Sequence, residues 1–350
     1  MTRILVTGGA GFIGSHTCLT LLENKFNLIA VGSFTNSSKR SLEKVIELLE
    51  TKFSDIKERI KIFNGDIKNE DWLNEIFVNC KKENNPIMGV IHFAGLKAVA
   101  ESVENPLGYW EGNLVSSISL LKVMQNNKCF VIVFSSSATI YNDSSELIKE
   151  DFEKKPINPY GQTKLSIEKM LHNVYESDKE KWKVINLRYF NPIGAHYSGI
   201  IGESPLGKPN NIFPIIGKVA TGLIVKLSIF GNDWPTRDGT CIRDYIHVMD
   251  LAEGHVKALK FLLENKPCFI NINLGTGKGT TVLELVKAFQ KSTNITIPYE
   301  FAERRIGDNP ITIADNTKAL DILNWEAKRS IDDMCRDGWK WFKSNPKGYG

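Results

Sequence analysis

The sequence predicts an α/β protein: a Rossmann-type doubly wound parallel sheet joined to a smaller mixed α/β substrate domain. Three observations carry the prediction. Strand-like and helix-like segments alternate through the first half of the chain. A glycine-rich string stands between the first strand pattern and the first helix pattern. Near Asn191 the alternation gives way to irregular stretches rich in Gly and Pro.

In chain order, Arg3–Val6 is an apolar run that reads as a buried strand, and Ile13–Leu22 reads as the helix that follows. Asn27–Val31 gives a second strand and Arg59–Phe63 a third, separated by the amphipathic stretch Ser41–Glu50. Asp71–Lys81 repeats its apolar residues at three- and four-residue intervals, as a helix requires. Pro86–Phe93 and Phe130–Phe134 continue the strands, whereas the charged stretch Lys149–Lys155 reads as solvated loop. Beyond Asn191, segments such as Gly199–Pro205 have no period. The expected division is therefore residues 1–190 and 191–350, with pieces of chain free to cross between the two.

Composition narrows the function. The chain has 350 residues, 42% hydrophobic and 24% charged, which is ample for a large core. Its 44 basic and 40 acidic residues are dispersed, so no polybasic tract marks a nucleic-acid partner. Six cysteines without a C-x-x-C pair, and six scattered histidines, point to reduced thiols and no metal site. Met1 runs straight into a strand pattern, and no apolar run approaches the length of a membrane span. The expectation is a cytoplasmic protein with no membrane partner.

Thr7-Gly8-Gly9-Ala10-Gly11-Phe12-Ile13-Gly14 sits after a strand and opens a helix. Glycines there let the backbone approach a dinucleotide pyrophosphate at a helix N-terminus. The end of the second strand normally carries an acid for the adenosine ribose, but here it reads Val31-Gly32-Ser33-Phe34. Either another group holds the ribose or the affinity is lower. Losing a charge-assisted hydrogen bond costs about 1.5–3 kcal/mol, or roughly one to two decades of affinity. A phosphorylated ribose, as in NADP, would no longer be repelled; Lys39 and Arg40 either reach it or face water. Asp66-Ile67, after the third strand, either meets the adenine or caps the next helix.

Tyr160-Gly161-Gln162-Thr163-Lys164 places a phenol and an ammonium four residues apart, on one face of a helix. A phenol with a reference pKa of about 10 is a poor base at neutral pH, and a fixed cation favours its ionised form. The strand Phe130–Phe134 delivers Ser135-Ser136-Ser137-Ala138-Thr139 at its carboxyl end, where open parallel sheets bind ligands. His92–Lys97 ends another strand and would bring Lys97 beside a nicotinamide.

With these residues the chain resembles the extended short-chain dehydrogenase/reductase family, and within it the UDP-galactose 4-epimerases. The likeness spans nearly the whole chain, through Thr7–Thr17, Ile91–Val99, Phe134–Tyr141, Tyr160–Lys164, Leu187–His196, Arg243–Gly254 and Arg304–Asp308. Ile91–Val99 and Arg188–His196 look distinctive of the epimerases. The resemblance implies NAD as cofactor, UDP-galactose and UDP-glucose as substrates, and a homodimer. It implies that Tyr160 is the base, that Ser137 and Thr139 bind the reacting hydroxyl, and that Lys164 holds the nicotinamide ribose. It assigns cofactor contacts to Gly8, Gly11, Phe12, Ile13, Gly14, Asn36, Asp66, Ile67, Phe93, Ala94, Lys97, Asn113 and Tyr189. For the substrate it assigns Lys97 as a contact, Asn191 and Asn211 to the diphosphate and sugar region, Arg243 and Arg305 to phosphate, Asp308 to the uridine ribose and Phe230 to the uracil. Thr312 stands where some epimerases carry a bulky Tyr, so space for an N-acetylated hexose is expected. Gly112 and Asn142 depart from the family's usual Asn and Gly, and nothing in the sequence explains either.

Two rivals follow from the same residues. A sugar-nucleotide 4,6-dehydratase shares the glycines and the Tyr–Lys pair, but its family supplies Asp-Glu where this chain has Ser137-Ala138-Thr139. A non-catalytic dinucleotide-binding regulator accommodates Gly32, but has no reason to keep Tyr160, Lys164 and Ser137 together.

Overall fold

In the computed structural model, which describes all residues but 143, 145, 208–210, 306, 307 and 350, the alternating segments build one parallel sheet. Its first six strands are β1 (Arg3–Thr7), β2 (Asn27–Gly32), β3 (Ile60–Asn64), β4 (Ile87–His92), β5 (Val131–Ser137) and β6 (Lys183–Tyr189). Between them run α1 (Phe12–Glu23), α2 (Arg40–Glu50), α3 (Ile56–Arg59), α4 (Glu70–Lys82), α5 (Val99–Glu104), α6 (Pro106–Trp110), α7 (Ser116–Asn126) and α8 (Pro159–Ser177). A π-helical turn spans Glu111–Val115 and a 3₁₀ turn spans Ala138–Ile140. Local chemistry sets the helix starts: the Asn69 side chain caps α4 by accepting from Trp72 N–H, and Asn158 caps α8 ahead of Pro159. On α2, Leu42, Val45 and Leu49 form the buried stripe that the sequence period predicts.

Past residue 190 the chain forms β7 (Asn191–Ile193), α9 (Ile212–Ala220), β8 (Leu227–Phe230), β9 (Ile242–Arg243) and β10 (Tyr245–His247). It then crosses back as α10 (Val248–Glu264) and β11 (Cys268–Leu274), the seventh strand of the main sheet. The remainder is β12 (Thr280–Thr281), α11 (Val282–Thr293), β13 (Tyr299–Ala302), β14 (Ile311–Thr312), α12 (Thr317–Leu323) and α13 (Ile331–Ser344). The sheet order β11-β6-β5-β4-β1-β2-β3 is doubly wound, with its switch point between β4 and β1. One face packs a core with α1, α2 and α10, and the other packs a core with α4, α7 and α8. A third core, around Phe213, Phe289 and Trp341, holds α9, α11 and α13 together.

Two expectations change in detail. The strand expected over Phe130–Phe134 runs through Ser137, because Ser135, Ser136 and Ser137 stay paired with β6 at Leu187, Arg188 and Tyr189. The Lys149–Lys155 loop is not wholly solvated: the Glu150 carbonyl accepts from Arg188, and its carboxylate accepts from Asn273 N–H. Among the described residues no helix is long and apolar enough to cross a membrane, and no group of three or more His, Cys, Asp or Glu could hold a metal.

Candidate active site

A cavity of about 770 Å³ opens at the carboxyl ends of β1, β4 and β5, within the range of about 300–1,000 Å³ usual for ligand sites. One end is built by backbone. A Cβ on Gly14 would stand 2.3 Å from the Gly8 carbonyl, and one on Gly8, whose φ is +68°, would meet Ala94 N at 2.8 Å. Glycine is required at both positions for β1, β4 and α1 to come this close. The first turn of α1 has no side-chain cap and no acidic residue, so its N–H groups suit an anion. Phe12, Ile13, Asn36, Ile67 and Phe93 line the same cavity. These features fit the pyrophosphate and adenosine of a dinucleotide.

At the adenosine end a Cβ on Gly32 would have ordinary contacts, the nearest to the Phe34 ring at 3.8 Å and to Gly8 Cα at 3.9 Å. The two cations the sequence offered there are engaged elsewhere: Lys39 pairs with Glu43 at 3.5 Å, and Arg40 donates to the Tyr349 carbonyl. Asp66 lines the cavity, and the helix-cap role left open for it belongs to Asn69; Asp66 instead accepts from Lys68 N–H at 2.9 Å.

Helix α8 carries the reactive pair. Lys164 Nζ donates to the Ser135 carbonyl at 2.7 Å and lies 5.8 Å from the centroid of the Tyr160 ring. One turn further on, Glu168 forms a buried ion pair with Arg188 at 2.6 Å and accepts from Ser136. Lys164 and Glu168 thus pin α8 to β5 and β6. Gly161 allows the contact, since a Cβ there would lie 2.6 Å from the Thr139 carbonyl. The Thr139 hydroxyl donates to Ser137 Oγ at 3.0 Å. Burial raises the Tyr160 pKa to about 12, against the effect of the Ser137 hydroxyl, and burial lowers Lys164 to about 8, against Glu168. Tyr160, Lys164, Tyr189 and Lys97 all line the cavity; Ser137 and Thr139 are not among its lining residues.

Asn113 does not line it. Fully buried, Asn113 accepts from Leu96 N–H at 2.7 Å and donates to Thr163 at 2.9 Å, tying the loop after β4 to α8. Gly112 does line it, with room limited by Leu96, and Asn142 donates to Glu153.

Of the residues assigned to the nucleotide and sugar in the second half of the chain, Asn211 lines the cavity, whereas Asn191, Phe230, Arg243, Arg305, Asp308 and Thr312 are not among its lining residues. Arg305 stacks over the Phe230 ring at 3.8 Å, and Arg243 lies 3.5 Å from Asp308. Thr312 pairs with Arg243 across β14 and β9, while Asn191 sits in β7 beside β10. Asn211 opens α9 and lines the cavity. Ile306 and Gly307, in the run Arg304–Asp308, lie outside the described residues. Ser135, from the serine run at the end of β5, lines the cavity, and Tyr349 and Glu203 are among the lining residues that carried no sequence signal. Tyr349 exchanges hydrogen bonds with the Gly202 backbone, and Glu203, inside the irregular Gly199–Pro205 stretch, pairs with Lys97 at 3.3 Å.

A family model described as GDP-mannose 4,6 dehydratase matches residues 5–338. The UDP-glucose 4-epimerase of Bacillus subtilis (strain 168) is 48% identical over 347 residues, covering 99% of this chain and 98% of that protein. A bifunctional UDP-glucose 4-epimerase and UDP-xylose 4-epimerase of Pisum sativum is 47% identical over 350 residues, covering 99% and 97%. The crystal structure of the UDP-glucose 4-epimerase from Bifidobacterium longum, in complex with NAD+ and UDP, superposes with a TM-score of 0.92 at 43% identity, covering 99% of this chain and 100% of that one. The family model alone is shared with dehydratases, but here the serine-bearing strand is followed by Ala138 and Thr139 rather than by an acid pair. With glycine cradle, Tyr–Lys helix and full-length likeness in agreement, the chain belongs to the extended short-chain dehydrogenase/reductase family, in its UDP-glucose 4-epimerase branch.

Proposed function

We propose that this chain interconverts UDP-galactose and UDP-glucose, with NAD retained through the cycle. The observation that carries this reading is a buried tyrosine and lysine on one helix face, opening into a cavity whose far end is a glycine cradle. NAD, when bound, supplies the acceptor for the hydride of sugar C4 and returns it. Tyr160 takes the proton of the 4-hydroxyl, with Ser137 and Thr139 holding that hydroxyl, and gives it back after the hexose has turned. Lys164 keeps a positive charge beside the phenolate and fixes the nicotinamide ribose. Arg243 and Arg305 neutralise the diphosphate, for which planar, permanently charged guanidinium groups are suited. Phe230 and Asp308 hold the uridine, while Asn191, Asn211 and Lys97 bind the diphosphate and sugar region. With the nucleotide anchored, the 4-keto sugar swings about its phosphate linkage and presents its other face.

The first 190 residues together with 248–274 serve as the dinucleotide unit, and the rest as the UDP-sugar unit. The apolar side chains of Val103, Leu107 and Ile118, exposed on neighbouring helices, support a homodimer through this face. All six cysteines are free, which suits the reducing cytoplasm. A threonine at 312, smaller than the tyrosine some epimerases carry at that position, supports UDP-N-acetylglucosamine as a further substrate.

The test is incubation of the purified chain with UDP-galactose, with and without added NAD. UDP-glucose is expected; its absence under both conditions would make the chain a non-catalytic dinucleotide binder. The same assay with UDP-N-acetylglucosamine, run on the parent and on Thr312→Tyr, checks substrate width: equal exclusion by both removes the basis for the wider range.

A further inference from the structure

The Lys97–Glu203 pair joins two parts of the chain that are far apart in sequence. Lys97 lies in the loop after β4 and Glu203 in the segment between β7 and α9, and both line the cavity. The Glu203 side chain is 5% exposed, against 53% for Lys97. Its Oε1 takes the lysine at 3.3 Å, but its Oε2 is buried and meets no hydrogen-bond donor among the described residues. A buried carboxylate oxygen without a donor is unfavourable unless something satisfies it. Glu203 borders a ligand cavity, so a bound ligand can bring the missing donor.

Charge limits what that donor is. A carboxylate repels the diphosphate of a sugar nucleotide and the pyrophosphate of a dinucleotide. The neutral O–H and N–H donors are the hexose and ribose hydroxyls, the nicotinamide carboxamide, and the N–H groups of uracil and adenine. Glu203 stands on the segment that continues to Asn211 and Pro214, cavity residues at the mouth of α9, which favours the hexose. We infer that Glu203 is a hexose-binding residue, whose Oε2 accepts a hydrogen bond from a hydroxyl of the UDP-linked sugar while Oε1 holds Lys97 in place. This rests on reading the cavity as a UDP-hexose site. The pairing explains why a buried negative charge is tolerated there: Lys97 balances it, and the sugar completes its hydrogen bonding.

The test uses the full chain with NAD bound, as parent, Glu203→Gln and Glu203→Ala, titrated calorimetrically with UDP, with UDP-glucose and with deoxy analogues of UDP-glucose. UDP affinity is expected to stay within about twofold, while UDP-glucose weakens about tenfold to a hundredfold in the alanine variant and less in the glutamine variant. In turnover, KM rises more than kcat falls. One deoxy analogue should bind the parent and Glu203→Ala equally, identifying the hydroxyl concerned. Equal weakening of UDP and UDP-glucose, or no change in either, overturns the inference. So does loss of NAD without loss of UDP-glucose affinity, which would assign the carboxylate to the carboxamide. The near-isosteric glutamine variant carries the comparison if the alanine variant melts early. A parent that binds UDP but not UDP-glucose fails the functional reading itself, a result distinct from any difference between parent and variant.

Discussion

Tyr160 and Lys164 are each placed where their charged forms are disfavoured, since burial raises the phenol to about 12 and lowers the ammonium to about 8. Once Tyr160 ionises, its phenolate faces the Lys164 ammonium, 5.8 Å from the ring centroid, and an opposite charge at that range offsets part of what burial costs. Tyr160→Phe should therefore reduce kcat by about 100- to 10,000-fold while UDP affinity, measured by titration, stays within about twofold. More than a tenth of the parent's activity in that variant would show the base to be another residue. Gly32 has its own consequence. A Cβ there meets nothing closer than 3.8 Å, so Gly32→Asp fits without moving the backbone and restores an acceptor for the adenosine ribose. NAD should bind about ten- to a hundredfold more tightly, and NADP less tightly, in an equilibrium titration of the variant; an unchanged NAD affinity would mean the ribose is held elsewhere. Tyr160, Lys164 and the glycine string were legible because their spacing encodes a geometry. Glu203, Glu168 and Tyr349 were not, because a lone acid or phenol without periodic context does not reveal which cavity or arginine it will meet.

Elements with a period were equally legible. The stripe Leu42, Val45, Leu49 and the apolar run of β1 specify a helix and a buried strand by themselves. Strand β11 hides its nature, as polar Asn271 and Asn273 alternate with its apolar residues and find partners only in the folded chain, in Asn186, Tyr141 and the Ile148 carbonyl. The two-residue strands β9, β12 and β14 are too short to carry any period. Helix α11 shows how one such short strand ends usefully. Thr281, the last residue of β12, caps α11 by accepting from Glu284 N–H at 3.0 Å, and Glu284 returns the bond to Thr281 N–H at 2.8 Å. Arg237 adds an ion pair to the same carboxylate, and hydrogen bonding from it lowers Glu284 from 4.5 to about 2. The side chain is 41% exposed, so the ion pair adds little and the cap dominates, at about 1 kcal/mol. Glu284→Ala should lower the melting temperature by about 2 °C at pH 7. A folded pKa below the unfolded one means the stabilisation is complete above pH 4.5 and disappears as pH falls through about 2. The gap between parent and variant, followed by scanning calorimetry, should therefore narrow below pH 4.5; a gap that widens on acidification would contradict the assignment.

At the scale of the molecule, the chain leaves the main sheet after β6 and returns for α10 and β11 before leaving again. The return places Leu251, Val256, Leu259, Leu262, Ile272 and Leu274 in the same core as Val133, Ile185 and Leu187. Burying each such side chain is worth about 1.5–3 kcal/mol, so six of them contribute about 9–18 kcal/mol before the entropy of ordering them, large beside the net stability of about 5–15 kcal/mol of an ordinary domain. A fragment of residues 1–190 keeps every strand from β1 to β6, yet it exposes that core face and turns β6 into an unpaired edge. It should show no cooperative unfolding by circular dichroism or calorimetry, whereas the full chain should melt in one transition that NAD shifts upward. A fragment that melts cooperatively near the parent's midpoint would show that α10 and β11 are dispensable, and that the two halves are independent units. The expectation of one transition has a functional side. The cavity is walled by segments from both halves, so a chain that threads between them cannot lose one wall without loosening the other.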